Sequence, residues 1–275
     1  MSARNNYLLN RFFSRSMIKN LLRNKKDDGF ARIIQNEEKL IIAVKEAYQQ
    51  LSKGYRNEYF YKNTLFNKKL LGVHSLNTTT ALTEIPVGSA KPDFILINGK
   101  AIVYEIKTEL DNLERLENQI NEYYKAFDHV AIVTYEKNLD PVRRKIADLN
   151  KPVGLYALQK NESFKTLNKP EPYRDDLDKS IMFKILRKKE YESIILKRFG
   201  LLPQVSQFDY YDVCKEKLLT LPIDEFYLDF LAELKTRNAV DKEKFKKIPY
   251  ELKFLVYFMD FKTKDYDILD NILTK

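Results

Sequence analysis

The chain has 275 residues, with 48 Lys and Arg against 39 Asp and Glu, a net charge of +9. That length holds one large domain or two small ones, and 44% apolar residues exclude an intrinsically disordered chain. Seven scattered glycines form no G-x-G-x-x-G turn or P-loop, and one cysteine with two histidines (Cys214, His74, His129) excludes an intrachain disulfide and a thiolate zinc cage.

In chain order, residues 1–26 carry Arg4, Arg11, Arg15, Lys19, Arg23, Lys25 and Lys26 and no acid. Their apolar residues recur at helical spacing, which predicts a basic amphipathic helix (1–30): a nucleic-acid arm, a membrane-surface helix, a transit peptide or a helix packed on the body with a solvated basic face. Helices are predicted over 31–52 and 56–71. Three short apolar segments, 81–87, 92–97 and 101–107, then predict strands. A helix over 111–127 follows, with Asp111 and Glu114 as a capping box. After it come a strand at 129–134, a helix at 141–149 and a strand at 153–158. The span 101–134 has the length of a parallel βαβ crossover. Lys169-Pro-Glu-Pro172 reads as a linker. Helices are predicted beyond it over 175–199, 209–220, 222–237 and 245–259. The expected fold is α/β, a mixed central sheet flanked by helices. It divides into the arm, an α/β core at 31–168 and an all-helical C-terminal subdomain at 173–275. No run approaches 18 apolar residues, so no membrane span is expected, and the single cysteine fits a cytoplasmic protein.

The stretch from Lys91 to Lys107 carries the chemistry. Asn98-Gly99 is a strong hairpin signal. A two-residue loop would pair 93 with 104 and put Asp93 and Glu105 on opposite faces. A three-residue loop with a glycine-type bulge pairs 93 with 105, so that Asp93, Glu105 and Lys107 share a face; this second register is the one predicted. Two carboxylates close together at the end of apolar strands repel and are costly to desolvate. A divalent cation, Mg²⁺ (or Mn²⁺), resolves that repulsion and can activate water against a phosphodiester. Lys107 would orient the water or offset developing charge. Four other acid-x-Lys tripeptides (Glu37/Lys39, Glu233/Lys235, Glu251/Lys253, Asp260/Lys262) fall in predicted helices and lack this strand context.

Pro92-Asp93, eleven residues, then Glu105-x-Lys107 resembles the PD-(D/E)XK nuclease superfamily, of restriction-endonuclease-like fold. The order helix-βββ-α-β is similar to that family's core. Gln119-Ile-Asn-Glu-Tyr123 resembles the Q-x-x-x-Y motif of its RecB-like branch. The resemblance spans roughly 56–135, extending toward 158. It implies metal ligation by Asp93, Glu105 and the Ile106 carbonyl, with Lys107 as catalytic lysine and Gln119 and Tyr123 facing the site. A further acid from the preceding helix is assigned to Glu58, with Glu37, Glu38 and Glu84 as rivals. Gly88-Ser89-Ala90-Lys91 is either a tight turn or a backbone nest, in which Ser89 and Lys91 would bind a nucleic-acid phosphate.

The implied activity is Mg²⁺-dependent hydrolysis of nucleic acid, DNA before RNA. The alternatives are an RNA-processing nuclease, and a nuclease-fold binding module acting as a regulator or inhibitor in host–phage or mobile-element conflict. The C-terminal helices would cap the substrate or bind a partner protein, and a homodimer would suit double-strand cutting.

Overall fold

The computed structural model describes residues 3–23, 39–237 and 240–274. Six strands form one open sheet in the order β1 (Thr80–Leu82), β2 (Phe94–Asn98), β3 (Lys100–Ile106), β4 (His129–Tyr135), β5 (Gly154–Leu158) and β6 (Phe164–Asn168). The outer pairs β1/β2, β2/β3 and β5/β6 are antiparallel, and β3/β4 and β4/β5 are parallel. The helices Leu116–Tyr124 and Leu139–Ile146 make the two crossovers between parallel strands.

The hairpin register is the one predicted. Ile97 pairs with Ala101 and Phe94 with Tyr104, so the ladder continues to Asp93 opposite Glu105. Gly99 takes the positive φ of 71° that this turn demands, a conformation open to glycine at little cost. Side chains then alternate strictly. Phe94, Leu96, Tyr104 and Ile106 enter one apolar layer, and Ile95, Ile97, Ala101 and Val103 enter the other.

Each face has its own helical cover. The first layer is closed by α1 (Ala3–Phe12), α2 (Arg15–Leu22), α3 (Leu40–Gly54), α4 (Glu58–Leu65) and the segment 245–273. The second is closed by Leu116–Tyr124 and the segment 182–234. The C-terminal helices therefore have no core of their own; they split and seal opposite faces of the sheet. At its edge, the Ala81 N–H donates to the Tyr257 hydroxyl and the Thr80 hydroxyl to the Lys235 carbonyl.

Several elements differ from the sequence expectation. The basic N-terminal segment is two helices, not one: the chain turns at Phe13, and Ser14 caps α2 through the Met17 N–H. Leu9, Phe12, Phe13, Met17, Ile18 and Leu21 are buried, so the segment is a layer of the body, not a free arm. Lys25 and Lys26 lie outside the described residues, as do Ile33, Ile34, Glu37 and Glu38. The helix over 56–71 changes to π-helix at Phe66–Leu71. The strand expected over 81–87 ends at Leu82, where Glu84 takes a φ of 54° and Pro86 cannot donate to a ladder. Asp111 does not cap the following helix; its carboxylate accepts from the Thr108 N–H and hydroxyl, and the helix starts only at Leu116. Strand β6 was not expected. The predicted 175–199 helix is broken by extended Leu186 and Arg187 into α7 (Lys179–Ile185) and α8 (Lys188–Phe199). No helix among the described residues is long and apolar enough to cross a membrane.

Candidate active site

The site forms where the chain enters β2 and leaves β3. Asp93 and Glu105 are brought opposite each other by register, and Lys107 follows two residues on, over the same layer as Gln119 and Tyr123. Gln119 and Tyr123 are four residues apart on one helix, hence on one face. The backbone past the strand end is fixed as well. The Lys107 N–H donates to the Val133 carbonyl at 2.8 Å, and the Thr134 hydroxyl donates to the Lys107 carbonyl at 2.8 Å.

Glu105 is 2% exposed and saturated with donors. Its Oε1 accepts from Lys107 Nζ at 2.8 Å and from Gln119 Nε2 at 2.6 Å. Its Oε2 accepts from the Tyr123 hydroxyl at 2.6 Å, which also lies 3.0 Å from the Lys91 carbonyl. Gln119 Oε1 in turn accepts from Lys107 Nζ at 2.8 Å. Lys107 thus spends two of its three ammonium protons inside the site. Burial, reinforced by the facing Glu105 carboxylate, raises the Tyr123 hydroxyl well above the usual tyrosine range.

Asp93 uses both oxygens. Oδ2 accepts from the Ile106 N–H at 2.8 Å, and Oδ1 faces Lys62 Nζ at 3.3 Å. Burial and the neighbouring Glu105 charge push its pKa up to about 7, against the opposing pull of Lys62 and the Ile106 amide.

Lys62 was not singled out from sequence. It sits one helical turn after Glu58 on α4, with its side chain 8% exposed, and bridges Glu58 to Asp93. Burial opposes its charge, but Asp93 and Glu58 outweigh burial and raise its pKa. Its i+4 spacing from Glu58 was the available signal. Asn57 caps this helix through the Phe60 N–H and is itself tied to Asn10 on α1, which fixes the position of both residues.

Glu58 consequently reaches Asp93 only through Lys62. Among the described residues, no three His, Cys, Asp or Glu side chains converge on one point, and Glu58 is held by Lys62. Glu84 is exposed on the same cleft. Of the two readings of 88–91, the structure shows the tight turn. Val87 and Ala90 exchange backbone hydrogen bonds, and the Ser89 N–H donates to Glu122 Oε2 at 3.0 Å. The amide assigned to a phosphate is thus held by the protein's own carboxylate. Lys91 remains exposed beside it. Neither histidine takes part: His74 bonds Asn98 at the hairpin turn, and His129 bonds Asp128 at the start of β4.

A cleft of about 590 Å³ opens over this end of the sheet, with Glu58, Lys62, Glu84, Thr108, Asp111 and Arg15 in its lining. Three carboxylates (Asp93, Glu105, Glu58) face two ammonium groups (Lys62, Lys107), leaving one positive charge too few. Burial first, and the Glu105 charge second, raise the pKa of Asp93 beyond what Lys62 offsets. The opposed Asp93–Glu105 pair is oxygen-donor chemistry that suits a hard divalent cation.

A model of the family described as Bacteriophage P4 protein cII matches residues 51–251, a stretch that contains the whole carboxylate and lysine cluster. A curated relative, "Protein cII" of Enterobacteria phage P4, is 28% identical over 159 residues, covering 56% of this chain and 58% of the relative. The chain thus spans rather more than half the length of that relative. No solved structure matches the chain.

Proposed function

For this chain, which belongs to the bacteriophage P4 protein cII family, we propose a metal-dependent nuclease of PD-(D/E)XK type, with a restriction-endonuclease-like core, acting on nucleic acid and on DNA first. The observation that carries it is the hydrogen-bonded cluster of Glu105, Lys107, Gln119 and Tyr123, with Asp93 set opposite Glu105, beside a cleft lined by Lys62 and Thr108.

Asp93 and Glu105, with the Ile106 carbonyl, would hold Mg²⁺ or Mn²⁺. The bound ion would polarise a phosphoryl oxygen and lower the pKa of a water. The residues themselves do the positioning. Gln119 and Glu105 fix Lys107 and leave one of its protons for a phosphate oxygen or for the attacking water. Tyr123 locks Glu105 in one orientation through its second oxygen. Lys62 neutralises Asp93 and Glu58 while no substrate is bound. No histidine or cysteine is needed.

A second reading is a nuclease-fold binding module. The observation in its favour is that every oxygen of Glu105 and Asp93 already has a partner within the protein. The deciding experiment is cleavage of single-stranded and duplex DNA and RNA with Mg²⁺ or Mn²⁺, for wild type, Asp93→Ala and Lys107→Ala. Cleavage by wild type alone supports the nuclease. Equal activity in all three defeats the catalytic assignment, and salt-dependent binding without cleavage supports the module.

A further inference from the structure

Two features of the sequence have no place in the site so far: the basic N-terminal segment and the cationic run Arg187-Lys188-Lys189. The fold brings one arginine from each to the same concavity. A second cleft, of about 210 Å³, adjoins the first and shares Arg15 and Thr83 with it. Arg187 lines its far side, together with the partly exposed rings of Phe258 and Phe261.

The charges along this path are sorted. The end nearest Lys107 carries Glu58, Glu84 and Asp111. Arg15 stands where the two clefts join, and the other end adds Arg187, with Asp260 as its one acid among the described residues. Arg237 also lines that end but is committed to Glu190 in a two-pronged ion pair. Arg15 and Arg187 are both exposed, and neither has an ion-pair partner among the described residues. Long cations left unpaired in a concavity suit an anionic ligand better than a solvated convex surface does. Partly exposed aromatic rings beside them offer stacking platforms for bases.

We propose that the two clefts form one groove for a single strand of nucleic acid. Arg15 and Arg187 contact its phosphates, and Phe258 and Phe261 stack on its bases. The acidic end then lies toward Asp93 and Lys107, where the strand's phosphodiester would react. This extends the nuclease reading by naming the strand's path, and it rests on that reading only for the cleavage step.

The test is fluorescence anisotropy of a labelled twelve-nucleotide single strand in EDTA across a salt series. It compares the full chain with Arg15→Gln, Arg187→Gln, the double variant, and Lys165→Gln on β6 at the opposite edge of the sheet as a charge-matched control. The slope of log affinity against log salt should fall by about 0.7 for each arginine removed and by about 1.4 in the double variant. Lys165→Gln should leave it unchanged, and a blunt duplex of equal length should bind more weakly. An unaltered slope in the double variant, equal affinity for the duplex, or no strand binding at all would overturn the groove. The same samples assayed with Mg²⁺ separate the two ideas. Arginine-dependent binding without cleavage keeps the groove and removes the nuclease. Cleavage with an arginine-independent slope does the reverse.

Discussion

Lys62 Nζ stands 3.3 Å from Asp93 Oδ1 and is ion-paired on its other side with Glu58. A buried ammonium with a carboxylate on either hand has little freedom to leave, so it steadily opposes the burial and the Glu105 charge that raise the pKa of Asp93. With Asp93 titrating at about 7 in the metal-free protein, cleavage at limiting Mg²⁺ should rise with pH through neutrality, as the proton stops competing with the cation for the carboxylate. Lys62→Met should move that limb upward by about one pH unit, because the nearest favourable charge is gone. Lys62→Arg should restore it. A pH–rate profile identical in Lys62→Met and wild type would rule this out.

Asp93 also leaves a mark on stability. Its folded pKa lies above the unfolded value of 3.8, so the folded state holds a proton that the unfolded state has lost between about pH 4 and 7. That contribution is complete below pH 4, declines as pH rises, and is gone above about 7. Asp93→Asn should therefore stabilise the metal-free protein at pH 8, on the order of 1–3 kcal/mol, with no gain at pH 4. Urea melts in EDTA at the two pH values measure the difference.

The opposite sign is expected at Asp128, 2% exposed at the start of β4. Burial pushes its carboxyl up, but hydrogen bonds from His129 and Tyr227, with Arg174 on the other oxygen, outweigh burial and hold it below the usual range. Its stabilisation is present above the unfolded pKa of about 4 and is lost as pH falls below it. Asp128→Ala should cost roughly 1–3 kcal/mol at pH 7, since it strands the buried Tyr227 hydroxyl, while the half-exposed Arg174 keeps its pair with Asp224. The penalty should shrink at pH 3. A loss independent of pH would mean that packing, not charge, dominates there.

Glu190 and Arg237 form a buried pair, 2.7 and 2.6 Å across two prongs, and Arg237 also donates to the Ile185 carbonyl. Arg237→Met alone should cost roughly 3–5 kcal/mol by leaving Glu190 charged and unpaired. Glu190→Leu with Arg237→Met should recover much of that loss. Denaturation of the four members of the cycle gives the coupling directly.

Tyr123→Phe removes the sole side-chain donor to Glu105 Oε2 among the described residues without changing ring volume. Cleavage should drop about 10- to 100-fold, while strand affinity in EDTA stays within about twofold. Parallel losses of binding and cleavage would place Tyr123 in the strand's path instead.

The part of this structure that sequence could disclose was the part governed by local rules. Asn98-Gly99 and strict alternation fix the hairpin, and the hairpin fixes Asp93 against Glu105. The i, i+4 spacing then carries Gln119 and Tyr123 to the same cluster. Where local rules are silent, the expectation failed. Strand β6, Phe164-Lys-Thr-Leu-Asn168, is an edge strand that shows mostly polar residues to solvent and runs into a Pro-rich stretch, so it resembled a linker. The π-helix at Phe66–Leu71 keeps an almost helical apolar rhythm and leaves no separate signal. Residues Leu186 and Arg187 carry no glycine or proline, yet the chain straightens there because Glu190 accepts from the Arg187 N–H and recruits Arg237. Lys62 and Arg15 were hidden for another reason: their roles depend on segments that meet only in the folded chain.

The two covers of the sheet also differ in when they can be finished on the ribosome. Among the described residues, the layer beneath Gln119 and Tyr123 draws its buried apolar side chains from no further than Leu234. The layer beneath Glu58 and Lys62 needs Leu9 to Leu21 at one extreme and Tyr266 to Leu273 at the other. During synthesis the first apolar helices must therefore wait, with one face of the sheet uncovered, until some 250 further residues have emerged. The half of the site carried by α4 is the last to gain its full support, so a nascent chain holds Glu105 and Lys107 in place before the backing of Lys62 is complete.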